Sequence, residues 1–338
     1  MFSRAKRSVG GNSYDDSGHF YSRGKLLITG EYAILHGAGG LALPVSHGQD
    51  MKWKDQGESQ SLDWITRVKG RKVFSAAFRG ANYFPVVSGD RKMAVFLRKI
   101  LVRAAKMSVN GPVFGKVISN LDFDMEWGLG SSSSLISNIA YLFDVNPFAL
   151  HFAVSEGSGY DIACARSDSP ILYRLDYQSE NYPGMPFSGK KGFRVPVYRE
   201  AAFRPPFRGN LYFAWTGKKQ DSAGSVERFL SRNRPETSDL EDISQITADI
   251  VKTGNIRDFN RLLSEHDRIL SRLLDQEPIS DGMFRDFPGY VKSLGAWGGD
   301  FIMISWEGGY TELQHRLKNK GIEVIFPYDR LIYSPHGS

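Results

Sequence analysis

Apolar and polar residues alternate along the opening part of the chain, as they do in β-strands. The alternation runs through the stretches LALPVSHGQDMKW, SLDWITRV and KVFSAAF. It predicts a strand-rich region, because successive side chains of a strand face opposite sides of its sheet. Residues 20–37, FYSRGKLLITGEYAILHG, are expected to form a strand, a tight glycine turn and another extended piece. Regular structure should begin at Phe20, so residues 1–19 are expected to be a flexible tail.

A helical spacing of apolar residues replaces this alternation between Arg91 and Met107, where they recur every three or four residues. The stretch FGKVISNLDF follows as a predicted strand. It leads into a Gly- and Ser-rich run, residues 128–134, and then into an apolar helix, LISNIAYLF. The first half of the chain is therefore expected to combine strands with helices.

The C-terminal part also mixes the two kinds of element. LYFAW, DFIMISW and IEVIF are expected to be strands. A capping box of Ser238 and Glu241 should start a helix that ends near Gly254. Residues 256–274 are strongly amphipathic, and His266 lies on their apolar face, which favours a core histidine with satisfied partners. The predicted fold class is α+β.

Two domains are expected from the length of 338 residues and from a break in the pattern. Residues 177–209 hold many Gly and Pro residues and show no clear period, which indicates a domain boundary or a long connection. The predicted domains are residues 20–190 and residues 205–335.

Composition narrows the class of protein. Hydrophobic residues make up 41% and charged residues 24% of the chain, which is typical of a globular protein. No apolar run approaches the roughly 18–20 residues of a membrane span, and the N-terminal residues lack the apolar core of a secretory signal. The single cysteine, Cys164, excludes an intramolecular disulfide framework. We therefore expect a cytoplasmic protein with no membrane partner, either a monomer or a homodimer.

The net charge of +6 is mild for this length, but the excess is local. From Lys190 to Arg234 the chain has eleven basic and three acidic residues, and such a patch attracts anions. A solvated surface, a site for an anionic small molecule and a nucleic-acid surface are the three interpretations. No signature of a DNA- or RNA-binding module accompanies the patch, so no nucleic-acid partner is expected.

The strongest chemical signal is the run GLGSSSS, from Gly128 to Ser134, which stands directly before a helix. Glycines let the backbone turn tightly and approach a ligand. A helix N-terminus offers unpaired N–H groups and a positive dipole end to an anion. Serine hydroxyls add donors and can ligate magnesium, which prefers oxygen. The run predicts a phosphate-binding loop, although it is not a Walker loop; an ordinary Ser-rich helix cap is the alternative.

Three further glycine turns carry candidate residues. Asp161 follows the turn GSGY and could orient or deprotonate a hydroxyl, or simply cap a helix. Lys25 stands at the start of an apolar strand and could reach a phosphate, or it could be a surface residue. The turn GAWGGD, residues 295–300, is a weak signal by itself.

Together these turns resemble the three motifs of the GHMP kinase superfamily, which includes galactokinase, homoserine kinase, mevalonate kinase and phosphomevalonate kinase. Residues 23–31, RGKLLITGE, are similar to the first motif, P-G-K-x-x-L-x-G-E. Residues 124–133 are similar to the second, P-x-G-x-G-L-G-S-S-A, with Asp124 and Glu126 in place of its proline and first glycine. Residues 295–299 resemble the third, a Gly-Ala-Gly-Gly-Gly turn, with Trp297 where glycine is usual.

Within the superfamily the chain most resembles the mevalonate branch. Residues 30–35, GEYAIL, are similar to the G-E-Y-A-V-L of phosphomevalonate kinases, and residues 158–161, SGYD, resemble the S-G-x-D segment that carries the catalytic aspartate. The string GYDIA is typical of a group of GHMP kinases in Bacteroidetes-type genomes. The resemblance implies an N-terminal domain like those of ribosomal proteins, with a left-handed βαβ unit, and a ferredoxin-like C-terminal domain.

The resemblance also implies transfer of the γ-phosphoryl group of ATP to a small-molecule acceptor. Asp161 and Lys25 would be the catalytic residues, with Lys25 keeping Asp161 ionised. Ser132 would ligate Mg²⁺, and Glu156 is a weaker candidate for an acidic ligand. The residues expected to bind the phosphates are Gly128, Leu129, Gly130, Ser131, Ser132 and Ser133. The residues expected to bind the acceptor are Glu31, Tyr32 and Gly159.

Mevalonate and 5-phosphomevalonate are nearly equal as the expected acceptor. Motif details favour 5-phosphomevalonate, whose phosphate could meet Lys218, Lys219 or Arg194, whereas an aspartate base is most useful for a hydroxyl acceptor such as mevalonate. Another small alcohol, such as homoserine or a sugar, is an alternative, and so is a catalytically inactive regulator. The joint presence of the lysine, the serine and the aspartate argues against an inactive protein.

Overall fold

The computed structural model describes residues 17–178, 193–218, 222–232, 235–295, 297 and 300–335. The strands within these residues are β1 (Ser17–Thr29), β2 (Gly40–Lys54), β3 (Ser61–Val68), β4 (Arg71–Arg79), β5 (Phe84–Ser88), β6 (Gly115–Leu121), β7 (Ile171–Gln178), β8 (Phe193–Glu200), β9 (Leu211–Trp215), β10 (Tyr290–Leu294), β11 (Phe301–Ser305) and β12 (Val324–Pro327). The helices are α1 (Arg91–Met107), α2 (Ser131–Leu142), α3 (Pro147–Val154), α4 (Tyr160–Ala165), α5 (Ser222–Arg232), α6 (Thr237–Lys252), α7 (Ile256–Leu274), α8 (Tyr310–Lys318) and α9 (Tyr328–Leu331).

The first sheet has eight strands, seven of them in the order β5-β4-β3-β6-β2-β7-β8, and β1 pairs with β2 outside this path. β3 and β6 run parallel, and the other described strand pairs of this sheet run antiparallel. The long strand β2 organises the sheet, because residues 49–54 pair with β6 while residues 40–42 pair with β7. Helices α1 to α4 pack on one face of this sheet and bury a first apolar core.

The second sheet has the antiparallel order β10-β11-β9-β12. One of its faces joins α6, α7 and the remaining face of β1 and β2 in a second core. The other face packs against α8 in a third, smaller core. Among the described residues, no helix combines the length and the apolar content that crossing a membrane requires.

Strand β1 is buried on both sides, which explains the unbroken apolar run after Lys25. Leu27 belongs to the core under α1 to α4, whereas Leu26 and Ile28 belong to the core shared with the second sheet. Alternate side chains of one strand thus serve two cores. This double burial fixes the strand from which Lys25 reaches the site.

Several predicted elements are confirmed. Helix α1 spans Arg91–Met107 and α7 spans Ile256–Leu274, the ranges predicted from apolar spacing. The strand, glycine turn and helix around residues 115–142 are also present. The mixture of two sheets and their helices confirms the α+β class.

Three local predictions were wrong. β1 begins at Ser17, so residues 17–19 belong to a strand and not to a tail. Residues 33–36 form a 3-10 helix instead of an extended piece, because Tyr32 and Gly37 on either side take positive φ angles of 57° and 96° that curl the chain. The helix expected to start at the Ser238–Glu241 box begins at Thr237, and no side chain caps it.

The predicted domain limits stay a prediction, and the strands define where the two sheets divide. β8 continues the first sheet to Glu200, beyond residue 190, and the second sheet starts at Leu211. Residues 1–16 of the expected tail lie outside the described residues, as do Lys219 and Ala296.

Candidate active site

A cleft of about 1410 Å³ is lined by residues of β1 and the turn after it, by the start of α2, and by the segment that joins β10 to β11. Most residues predicted for the site line it: Lys25, Glu31, Tyr32, Gly128, Gly130, Ser131, Ser132, Ser133 and Asp161. The other two, Leu129 and Gly159, are buried beside the cleft. Residues far apart in the chain thus meet at one cavity.

The glycine loop, residues 128–130, takes a backbone shape that requires glycine. Gly128 and Gly130 have φ angles of 69° and 94°, in the left-handed region that disfavours residues with a Cβ. A Cβ on Gly128 would overlap the carboxylate of Asp300, and one on Gly130 would lie 2.8 Å from Ser133 Oγ. The Lys25 amide donates to the Leu129 carbonyl at 2.9 Å and anchors this loop to β1.

The N-terminus of α2 faces the cleft without a side-chain cap, since Gly130 is its capping residue. Two of its serines are occupied within the protein. Ser133 Oγ donates to the Gly130 carbonyl at 3.0 Å, and Ser134 Oγ donates to Gln49 Oε1 at 2.8 Å. Ser131 and Ser132 also line the cleft, and Ser132 is the exposed one of the two. The amides and Ser132 therefore suit an anionic ligand and a hard cation.

Lys25 supplies a positive charge beside the glycine loop. Its ammonium donates to the Gly128 carbonyl at 3.0 Å and lies 5.6 Å from the centre of the Tyr160 ring. Burial by itself would lower the pKa of Lys25, but Tyr160, Asp161 and Asp300 raise it above its usual value. The lysine therefore stays protonated in the cleft.

Asp161 lies in the first turn of α4, and its Oδ1 accepts a hydrogen bond from the Ile162 amide at 3.0 Å. Lys25 interacts with this carboxylate through space, while its ammonium is hydrogen-bonded to the glycine loop. The expected pair of Lys25 and Asp161 thus shares one cleft. Gly159 is the N-terminal capping residue of α4, and its φ of 86° lies in the left-handed region that favours glycine.

Glu31 lines the cleft and also belongs to a buried charge cluster. Its side chain is 1% exposed, and Oε1 lies 2.8 Å from the Lys292 ammonium. His266 Nε2 lies 3.4 Å from the other oxygen and accepts a hydrogen bond from the Gly30 amide at 2.9 Å. The Glu31 carboxylate is thus paired with Lys292, and its expected contact with an acceptor stays a prediction, whereas His266 is the partnered core histidine that the sequence predicted.

Tyr32 links the two sides of the cleft. Its hydroxyl accepts a hydrogen bond from the Trp297 amide at 3.2 Å, and its ring lies 5.2 Å from that of Phe229 on α5. Burial raises the pKa of Tyr32, so its hydroxyl is neutral. The residue holds the segment after β10 against the turn after β1.

Two site residues had no assigned role from the sequence. Asp300 is 8% exposed, lines the cleft and lies against Gly128; its only sequence signal was an acid at the end of a glycine turn. His151 also lines the cleft, but it stands within the apolar helix α3, where a histidine carries no pattern of its own.

The donors available to a cation are oxygens. Ser132 and the carboxylates of Asp161 and Asp300 line the same cleft, and magnesium bound to a nucleotide often needs only one or two protein ligands. Within the described ranges, no group of three or more His, Cys, Asp or Glu residues could hold a metal by itself. Glu156 also lines the cleft, with its exposed carboxylate 3.7 Å from Arg194 Nη1.

The architecture and the cleft define the class of fold: the chain has the GHMP kinase fold, as the sequence motifs indicated. Solved structures of mevalonate and phosphomevalonate kinases align with it over more than nine-tenths of its length. No family model matches the chain, and no curated protein matches it in sequence.

Three solved structures illustrate the similarity. Phosphomevalonate kinase of Streptococcus pneumoniae, in complex with phosphomevalonate and AMPPNP, has 17% identity and a TM-score of 0.65 over 91% of this chain and 98% of its own. L. major mevalonate kinase, in complex with R-mevalonate, has 14% identity and a TM-score of 0.61 over 97% and 100%. A putative sugar kinase from Campylobacter jejuni has 11% identity and a TM-score of 0.58 over 96% and 98%.

Proposed function

We propose that the protein is an ATP-dependent kinase that transfers the γ-phosphoryl group to a small molecule. One observation carries this proposal: the uncapped N-terminus of α2, the Lys25 ammonium and the Asp161 carboxylate all face one cleft. Phosphoryl transfer needs in-line positioning and neutralisation of charge more than covalent help from the protein. The amides of α2 and the Lys25 ammonium can neutralise charge, and the Asp161 carboxylate can position the acceptor.

The glycine loop and the first turn of α2 would bind the triphosphate through their backbone amides. Ser132 would hold magnesium together with the phosphates, and the Asp300 carboxylate lies against Gly128 of the glycine loop. When bound, this ion would neutralise charge on the transferred group. Lys25, kept protonated by its neighbours, would stabilise the charge that develops on the same oxygens.

Asp161 would orient the acceptor and take its proton if the acceptor is a hydroxyl group. One oxygen of this carboxylate accepts the Ile162 amide, which fixes the side chain. The proton of the attacking hydroxyl would pass to the carboxylate as the oxygen–phosphorus bond forms and the bond to ADP breaks. An acceptor phosphate needs no such proton transfer, so Asp161 would then act by orientation alone.

Mevalonate and 5-phosphomevalonate are the acceptors we propose. The motifs after β1 and before α4 support this choice, and two of the aligned structures contain these compounds as ligands. A sugar is the second candidate, since a putative sugar kinase shares the fold. A cytoplasmic location and a monomeric or homodimeric state remain predictions.

A coupled assay of ADP release tests the proposal with mevalonate, 5-phosphomevalonate, homoserine and galactose as separate acceptors. We expect acceptor-dependent ADP release with one of the first two, and its loss in Asp161→Ala. Turnover with galactose alone would replace the proposed acceptor. Release of no ADP with any acceptor, from protein that binds ATP, would support the inactive regulator instead.

A further inference from the structure

His151 is a buried polar side chain in the lining of the cleft, and the proposed mechanism does not use it. It is 3% exposed and lines the cavity. No hydrogen bond of good geometry joins either ring nitrogen to a described residue, although the Gly157 backbone lies close enough to interact with the ring. Buried polar groups are nearly always hydrogen-bonded, so each exception calls for an explanation.

The surroundings of this imidazole are fixed by the protein. Its ring lies 5.3 Å from that of Phe152, with the two planes at 71°. Gly157 lies close on another side, where a Cβ would be 3.3 Å from Nε2. The absence of a side chain at Gly157 lets the loop of residues 155–158 pass close to the imidazole.

Arg194 is hydrogen-bonded to the backbone of the loop of residues 155–158. Its Nη1 donates to the carbonyls of Glu156 and Gly157 at 3.3 and 3.5 Å, and its guanidinium carbon lies 4.4 Å from the centre of the Phe152 ring. The guanidinium is mostly buried, since the Arg194 side chain is 14% exposed. The wall that carries His151 is thus braced before any ligand binds.

The imidazole is neutral in this position. Burial lowers the pKa of His151, and the Arg194 charge adds to this effect, although Asp161 and the Gly157 backbone oppose it. A neutral imidazole has one nitrogen that donates and one that accepts. The two nitrogens point in different directions, so one hydroxyl group can pair with one of them, either as the donor to the bare nitrogen or as the acceptor of the N–H.

We propose that His151 binds a second hydroxyl group of the acceptor, beside the group that Asp161 orients for phosphorylation. This inference rests on the proposed kinase function and adds a requirement for the substrate: a small molecule with a hydroxyl group besides its phosphorylated group. Mevalonate and 5-phosphomevalonate both meet this requirement through the hydroxyl on their branched carbon. His151 is then a specificity residue, which acts on binding of the acceptor and leaves binding of ATP unchanged.

The test compares two acceptors in two proteins. Mevalonate or 5-phosphomevalonate, whichever the wild type phosphorylates, is compared with its analogue that lacks the branched-carbon hydroxyl. For His151→Leu we expect kcat/KM to fall roughly 10- to 100-fold with the natural acceptor, because a buried hydroxyl loses its partner. With the deoxy analogue the two proteins should be nearly equal. His151→Gln, which keeps one donor and one acceptor, should recover part of the loss.

The controls separate this role from a structural one. His315→Leu changes an exposed histidine on α8, away from the cleft, and should alter neither acceptor. The KM for ATP should stay the same in every variant. In wild-type protein with ¹⁵N-labelled histidine, both ring nitrogens of His151 should shift when the acceptor is added to the complex with a non-hydrolysable ATP analogue. This measurement needs no variant, so a variant that fails to fold does not remove the test.

Equal losses with both acceptors, or no shift of the His151 nitrogens, would overturn the role of His151 while leaving the kinase function standing. A wild-type protein that phosphorylates neither natural acceptor would overturn the proposed substrates, and this inference with them.

Discussion

Replacing Lys292 with methionine tests the buried charge cluster that holds the turn after β1. The Lys292 ammonium is completely buried and contacts two carboxylates, with Nζ 2.6 Å from Asp267 Oδ1 and 2.8 Å from Glu31 Oε1. Methionine keeps much of the length of the lysine side chain and removes its charge. Glu31 and Asp267 would then remain buried without their shared cation.

The size of the effect follows from what each carboxylate keeps. Asp267 retains the Tyr290 hydroxyl, which donates to Oδ2 at 2.8 Å, and its contact with His266. Among the described residues Glu31 would keep no hydrogen-bond donor, because His266 Nε2, at 3.4 Å, already accepts the Gly30 amide. Removing one partner of a buried ion pair costs about 3–5 kcal/mol, so we expect the free energy of unfolding of Lys292→Met to fall by that amount. Such a loss is a large part of the roughly 5–15 kcal/mol that stabilises most domains.

Urea unfolding followed by circular dichroism measures this loss. Arg316→Met is the matched control, because Arg316 pairs with Glu312 at a similar distance of 2.8 Å but both side chains are about half exposed. Exposed pairs contribute at most about 1 kcal/mol. The double variant Lys292→Met with Glu31→Gln should be more stable than Lys292→Met alone, since it removes one unpaired charge. A loss for Lys292→Met no greater than that of the control would refute the reasoning.

Acid provides a second measurement on the same cluster. Burial would raise the pKa of Asp267, but Lys292 and the His266 ring lower it below its usual 3.8. A carboxyl with a lower pKa in the folded than in the unfolded chain stabilises the fold above its unfolded pKa, and this contribution is lost as the pH falls below about 4. Without Lys292 the pKa of Asp267 should rise. The free energy of unfolding of Lys292→Met should then no longer fall as Asp267 is protonated at low pH. Parallel stability curves for the two proteins between pH 3 and 6 would contradict this account.

Three further predictions concern the cleft. Asp161→Ala should lower kcat about 100- to 10,000-fold and leave ATP affinity, measured by titration of a fluorescent nucleotide, largely intact; unchanged turnover would end its catalytic role. Ser132→Ala should raise the magnesium concentration needed for half-maximal velocity, and an unaltered magnesium response would point to another ligand. Gly128→Ala should weaken ATP binding measured by the same titration, because its Cβ would overlap Asp300 and its φ of 69° costs about 1–2 kcal/mol in a residue with a side chain. Gly111→Ala is its matched control, with a φ of 70° and open space around the new Cβ, and equal ATP affinity in the two variants would contradict the clash.

The sequence predicted those features whose signal lies within one stretch of the chain. Helices α1 and α7 had clear apolar periods, and the glycine loop carried its own motif, so their positions were correct. The partner of Glu31 was not predictable, because Lys292 reads as an ordinary polar residue of a distant strand and no local pattern connects the two. Asp300 and His151 were missed for the same reason: their importance comes from what the fold places beside them.

The pairing of Glu31 with Lys292 gives the glutamate of the first motif, RGKLLITGE, a structural role. Glu31 and Tyr32 are neighbours in one turn, and each contacts the other half of the chain, Glu31 through Lys292 on β10 and Tyr32 through the Trp297 amide. Lys25 precedes this turn on β1, and Asp300 follows Trp297 before β11. Both contacts therefore reach the same side of the cleft as Asp300, which lies against Gly128. Glu31 and Tyr32 therefore join the two walls of the cleft, and their contact with an acceptor stays a prediction.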